Sequence, residues 1–164
     1  MEFAPIGTIH TPFSEHEGTP IQPGGGVGVA GTVELFEEYR DGLGDLSGFS
    51  HIILLFHFHR SQGYKLRVVP YMDNEERGVF ATRAPRRPNP IGLSVVRLER
   101  IEAGRILHIR DVDMLDGTPL LDIKPYVPEF EPGAVVSTGW LAEVGRTVSK
   151  RRADGRFEIG QEEQ

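Results

Sequence analysis

The sequence has no cysteine, a single tryptophan among its 164 residues, and no apolar run near the ~18 residues a membrane-spanning helix needs. Without cysteine there are no disulfides, iron-sulfur clusters, thiolate zinc sites or cysteine nucleophiles, and the chain fits a reducing compartment. Met1 to Ile9 lack the basic start and apolar core of a secretory leader, so a cytoplasmic protein without membrane attachment is expected. Positive charge is scarce too. Eighteen Lys and Arg face 24 Asp and Glu, a net charge of -6. That balance argues against a generic nucleic-acid coating protein, whose affinity comes mainly from neutralising phosphates.

What is abundant is punctuation. Twenty glycines and twelve prolines cut the chain into short pieces, most of which alternate apolar and polar residues at the period of a half-buried strand. Strands are expected at Ile6 to Thr11, Val27 to Leu35, His51 to His59, Arg67 to Pro70, Gly78 to Thr82, Leu93 to Ile101, Ile106 to Met114, Leu120 to Pro125 and Val135 to Leu141. Glu102, Ala103 and Gly104 form the turn of a hairpin. One short helix is expected at Glu34 to Asp41, with Leu35, Tyr39 and Leu43 on one face and Gly42 as its stop. Many short strands with little helix predict a mainly β fold, a closed antiparallel barrel, because closure removes the unpaired edges that open sheets expose. Residues 1–145 read as one barrel domain, and 146–164 as a short polar C-terminal tail.

Charge is unevenly distributed. From Arg60 to Arg100 nine basic residues face four acidic ones, so this stretch carries +5 and the remainder -11. Gly26, Gly28 and Gly31 satisfy a dinucleotide-binding spacing, but the polar, proline-containing Ser14 to Pro23 is no apolar strand, so they read as a loop entering a strand. On the run Phe49 to Ser61, Ile52, Leu54, Phe56 and Phe58 share one face; His51, Ile53, Leu55, His57 and His59 share the other. His57 and His59 would then lie about 6.5 to 7 Å apart, a spacing that suits zinc or iron if Asp113, Asp116 or His108 supplied a third ligand.

The densest constellation runs from Gly78 to Ser94. Three prolines stiffen a loop whose polar content is Arg83, Arg86, Arg87 and Asn89, more rigidity than a connector needs. Guanidinium groups fork onto carboxylate or phosphate and stack on bases, so a cofactor carboxylate and an RNA backbone are both natural partners. Asn89, held between Pro88 and Pro90, is either a turn residue or an acceptor for an adenine amino group. The turn Asp116, Gly117, Thr118 and Pro119 is ordinary by itself, with Gly117 free to take positive φ.

Together, Ile6 to Phe13, Phe49-Ser50-His51, Phe58-His59, the Gly78 to Ser94 loop, Asp116 to Pro119 and Asp122 to Tyr126 resemble the TsaA-like family, which includes the TrmO-type tRNA adenosine methyltransferases. The resemblance extends over roughly Ile6 to Gly139. It implies a closed barrel that forms a homodimer, binds S-adenosylmethionine near the subunit interface, and methylates the N6 amino nitrogen of a tRNA adenosine, threonylcarbamoyladenosine in the anticodon loop. It implies no metal. Carried over residue by residue, the cofactor positions are Pro20, Ile21, Gln22, Phe58, His59, Arg83, Leu93, Met114, Leu115, Asp116 and Gly117. Asn89 is then the candidate catalytic residue, and Arg86 and Arg87 are the candidates for holding the tRNA substrate. Ile21 stands where relatives often carry a basic residue, and Ala84 replaces a common serine. Two alternatives stay open: a metal-dependent barrel enzyme using His57 and His59, and a non-enzymatic RNA-binding barrel.

Overall fold

The structure, a computed structural model, describes residues 1–15, 26–130 and 136–144. Six strands close into an antiparallel barrel: β1 (Gly7–His10), β2 (Ala30–Leu35), β3 (His51–His57), β6 (Ile91–Glu102), β7 (Ile106–Arg110) and β8 (Thr118–Pro125). Around the barrel the order is β1, β2, β7, β6, β3, β8 and back to β1. A two-stranded ribbon, β4 (Arg67–Val68) with β5 (Arg77–Gly78), lies outside it.

The alternation read from the sequence is the barrel's inside and outside. Ile52, Leu54 and Phe56 of β3 point inward, with Ile9, Val33, Leu35, Val96, Leu98, Leu107, Ile109 and Leu120 from the other strands. Register breaks between Leu98 and Arg100 and between Leu55 and Phe56 add the local twist that lets so few strands curl to closure. The expected hairpin joins β6 to β7, and Ala103 (φ 49°) and Gly104 (φ 69°) both take the positive φ of a primed turn.

Three local expectations fail. Glu34 and Leu35 belong to β2, where they pair with Thr8 and Gly7, and the helical segment is a 3-10 turn from Glu37 to Leu43 that Gly44 ends. Sheet pairing outcompetes a helical pattern this short. Gly78 to Thr82 is not a strand beyond Gly78. Thr82 directs both its amide and its hydroxyl onto the Val79 carbonyl, closing a 3-10 turn at Val79–Ala81 over a small cluster of Val68, Val79 and Ala84. Among the described residues of Val135 to Leu141 there is no strand; Leu141 starts the single-turn α1 (Leu141–Val144) as the Leu141 and Ala142 amides bond back to Thr138 and Gly139. Residues 146–164, expected as a tail, lie outside the described residues. No helix among the described residues is long and apolar enough to cross a membrane.

Candidate active site

Antiparallel closure sorts the connections between two rims. The end of β1, start of β2, end of β3, start of β6, end of β7 and start of β8 share one rim, so the loops 11–29, 58–90 and 111–117 all emerge there. The described candidates for cofactor and substrate, Phe58, His59, Arg83, Arg86, Arg87, Asn89, Leu93 and Met114 to Gly117, sit in the second and third of those loops or near the start of β6, whereas His57 ends β3 and His108 lies mid-strand in β7. Pro20, Ile21 and Gln22 lie outside the described residues.

The loops are tied to one another. The Phe58 amide donates to the Pro90 carbonyl at 2.8 Å and the Ser61 hydroxyl to the Pro85 carbonyl at 3.1 Å, so the exit from β3 lies along the arginine loop. His59 Nδ1 is 3.4 Å from the Thr118 hydroxyl, reaching the start of β8. Thr11 donates its hydroxyl to the Met114 carbonyl and its amide to Asp116 Oδ1, while the Asp116 amide donates to the Phe13 carbonyl. The turn carrying Met114 to Gly117 is thus pinned against the chain leaving β1. His10 Nδ1 stands 3.3 Å from the same Asp116 oxygen.

Within the arginine loop, backbone carbonyls are held one by one. Arg87 Nη1 donates to the carbonyls of Thr82 (3.0 Å) and Ala84 (3.1 Å), so this arginine braces the loop with part of its guanidinium. Arg83 is exposed and Arg86 half-buried. Asn89 is exposed at the tip between its two prolines. Leu93 faces outward, 47% exposed, whereas Met114 and Leu115 are buried beneath the turn and Phe58 is half-buried. Arg67, Arg77, Arg97 and Arg100 each lie within reach of a carboxylate. The basic excess of residues 60–100 is therefore not theirs.

The histidine pair changes character. β3 ends at His57, and the His59 amide turns back onto the His57 carbonyl at 2.8 Å, so the two rings are not successive residues on one strand face. The proposed third ligands are engaged elsewhere: His108 Nε2 lies 2.7 Å from Glu102, and Asp113 accepts the Ser94 hydroxyl at 2.6 Å. Among the described residues no three His, Asp or Glu side chains converge as a metal-ligand group. The metal alternative therefore loses its geometric basis.

Asp113 is the site group that sequence reasoning did not single out for the cofactor. It lies within the 111–117 loop, anchored by Ser94 of β6, with Val112 and Met114 buried on either side. Burial pushes its carboxyl up to about 6, against the opposing pull of the Ser94 hydrogen bond and the Arg83 charge. Its place between two inward apolar residues is the one sequence signal; the partner, 19 residues away, is not legible.

The rim combines arginine, the apolar side chains of Phe58 and Leu93, the buried Met114 and Leu115, and a backbone-braced turn. Such a set binds and orients a ligand with an anionic end and a flat or apolar body.

The tRNA-methyltransferase O N-terminal domain family matches residues 8–132. A probable S-adenosyl-L-methionine-binding protein of Pyrococcus abyssi is 57% identical over 155 residues, covering 94% of this chain and 84% of that protein. The tRNA (adenine(37)-N6)-methyltransferase of Escherichia coli is 36% identical over 176 residues, covering 92% of this chain and 75% of its own. The crystal structure of TrmO from Pseudomonas aeruginosa superposes with a TM-score of 0.70 at 42% identity, covering 85% of this chain, which spans 62% of that one. The chain belongs to the family of the tRNA-methyltransferase O N-terminal domain.

Proposed function

We propose that this chain is an S-adenosylmethionine-dependent methyltransferase acting on the N6 amino group of a tRNA adenosine, threonylcarbamoyladenosine in the anticodon loop. The observation that carries the reading is the gathering of Phe58, His59, Arg83, Leu93 and Met114 to Gly117 at one rim by three loops that bond to each other. The names of the Pyrococcus and Escherichia relatives supply the donor and the acceptor.

The residues fit the donor. Arg83 would take its carboxylate, Phe58, Leu93, Met114 and Leu115 its apolar and aromatic parts, and the Asp116-Gly117 turn its ribose or amino group. Bound there, S-adenosylmethionine supplies an electrophilic methyl group. Displacement at such a centre needs alignment above all, and a rim braced carbonyl by carbonyl provides it without a strong base. Asn89 is positioned by Pro88 and Pro90 to accept a hydrogen bond from the adenine amino group, and Arg86 to hold a phosphate of a splayed anticodon loop. The reading includes a homodimer: Phe80, Ile91 and Leu93 expose apolar surface beside the rim, which a second copy would cover. The reading also includes a cytoplasmic location, which a tRNA substrate suits.

Calorimetry with S-adenosylmethionine is the primary test; a chain that binds tRNA and no donor is a non-enzymatic RNA-binding barrel. Arg83→Ala is expected to weaken donor binding by about ten- to a hundredfold, the worth of a charge-assisted hydrogen bond, and tRNA binding much less. Arg86→Ala is expected to do the reverse and to reduce the salt dependence of tRNA affinity. Arg87→Ala should weaken both, because Arg87 also braces the loop through Thr82 and Ala84. Equal losses for Arg83→Ala and Arg86→Ala would refute this division. Asn89→Ala is expected to lower turnover about tenfold or more with both affinities retained; unchanged turnover removes Asn89 from the mechanism.

A further inference from the structure

In the segment 136–144, Trp140 reaches the arginine loop. This residue, the only tryptophan in the chain, donates its indole N–H to the Ala81 carbonyl at 2.9 Å. The Arg77 guanidinium sits 5.6 Å from the centroid of its ring, near enough for a cation-π contact. Arg77 is itself held by Asp73 at 2.7 Å and Glu75 at 2.9 Å. The indole is thereby fixed by one hydrogen bond and by a cation whose own position is fixed.

Ala81 stands two residues before Arg83, and its carbonyl belongs to a series of loop carbonyls that are all hydrogen-bonded. Val79 is bonded by Thr82, Thr82 and Ala84 by Arg87, and Pro85 by Ser61. Those partners come from the barrel side or from the loop itself. The Ala81 carbonyl is held from the C-terminal segment. Losing that bond frees the Ala81 carbonyl, two residues before Arg83, while the bonds onto Val79, Thr82, Ala84 and Pro85 stay in place.

We infer that Trp140 is a positioning residue for the arginine loop, tying the segment after the barrel to the donor-binding geometry of Arg83. The inference rests on the reading of that loop as the S-adenosylmethionine site. It also makes the indole a built-in reporter, since a donor that orders the loop changes the surroundings of the only tryptophan.

The test is a titration of the full chain with S-adenosylmethionine, by calorimetry and by tryptophan emission, beside Trp140→Phe and Trp140→Ala. In the wild type, emission is expected to shift with the same midpoint as the heat. Trp140→Ala should raise the donor Kd about tenfold, and Trp140→Phe, which keeps a ring for Arg77 but lacks the N–H, by a few-fold. Turnover at saturating donor should stay within about twofold in both, because the residue acts on binding geometry and not on the reacting atoms. If both variants bind the donor as the wild type does and only melt at lower temperature, the residue is merely structural and the inference falls. It falls equally if wild-type emission is unmoved at saturating donor, a readout that stands even where a variant fails to fold. Absence of any donor binding by the wild type would sink the reading of the site, and this inference with it.

Discussion

Gly92→Ala is expected to destabilise the fold by about 3 kcal/mol and to lower the melting temperature by roughly 10 °C, the cost of forcing a methyl group into a filled core. Gly92 lies directly opposite Phe56 in the β3–β6 ladder. A Cβ there would stand 2.2 Å from Cε2 and 2.4 Å from Cζ of the Phe56 ring, well inside contact distance. The ring cannot step aside cheaply. It is 3% exposed, packed among the inward residues of the barrel, and set edge-on against Phe58 with centroids 5.4 Å apart. Moving Phe56 therefore moves Phe58, so the variant should lose donor affinity along with stability. Gly42→Ala, where nothing lies within 4 Å of the added carbon, is the control and should change stability by less than about 0.5 kcal/mol. Thermal melts of the two variants decide; equal behaviour would show that Gly92 is not required by Phe56. This glycine of the proline-rich string is thus required by packing rather than by backbone conformation.

Asp113→Asn is expected to do the opposite at alkaline pH and make the protein more stable. The carboxyl moves from 3.8 to about 6 on folding, because burial disfavours its charged form. Between those values the folded chain holds a proton that the unfolded chain has released, so the contribution of Asp113 to stability declines as pH rises from about 4 to about 6 and stays low above that. A shift of this size corresponds to at most about 3 kcal/mol. Asparagine keeps the shape and an oxygen to accept the Ser94 hydroxyl, and carries no charge to desolvate. Urea unfolding at pH 8 should therefore show the variant ahead by about 1 to 3 kcal/mol, with the gap closing toward pH 4. A gap of the same size at both pH values would contradict the assignment. An acid retained at such a cost, beside an arginine at the binding rim, is characteristic of a functional site.

Both residues show where local reading stops. The string from Ala81 to Gly92 was legible as an arginine-bearing loop, and its arginines and Asn89 lie in a loop that emerges at the same rim as Phe58 and Met114. The strands of the barrel were legible as well, and three of the errors fell where another part of the chain intervened. Leu35 went to Gly7 instead of to a helix, Val79–Ala81 curled over Val68, and the His59 amide turned back at the mouth of the barrel. Asp113 was legible only as a spare metal ligand, and Trp140 not at all.

The alternation of Ile52, Leu54 and Phe56 with His51, Ile53 and Leu55 is a property of neighbours along the chain, and it determined by itself that the protein is built of strands with one buried face. Turn residues such as Ala103 and Gly104 likewise act over three or four positions. The pairing of Ser94 with Asp113, Thr118 with His59 and Ala81 with Trp140 spans 19, 59 and 59 residues. The first two contacts exist because antiparallel closure brings those segments to the same rim, and the third because the chain beyond β8 comes back against the arginine loop; closure is a cooperative property of the whole sheet that no single segment encodes.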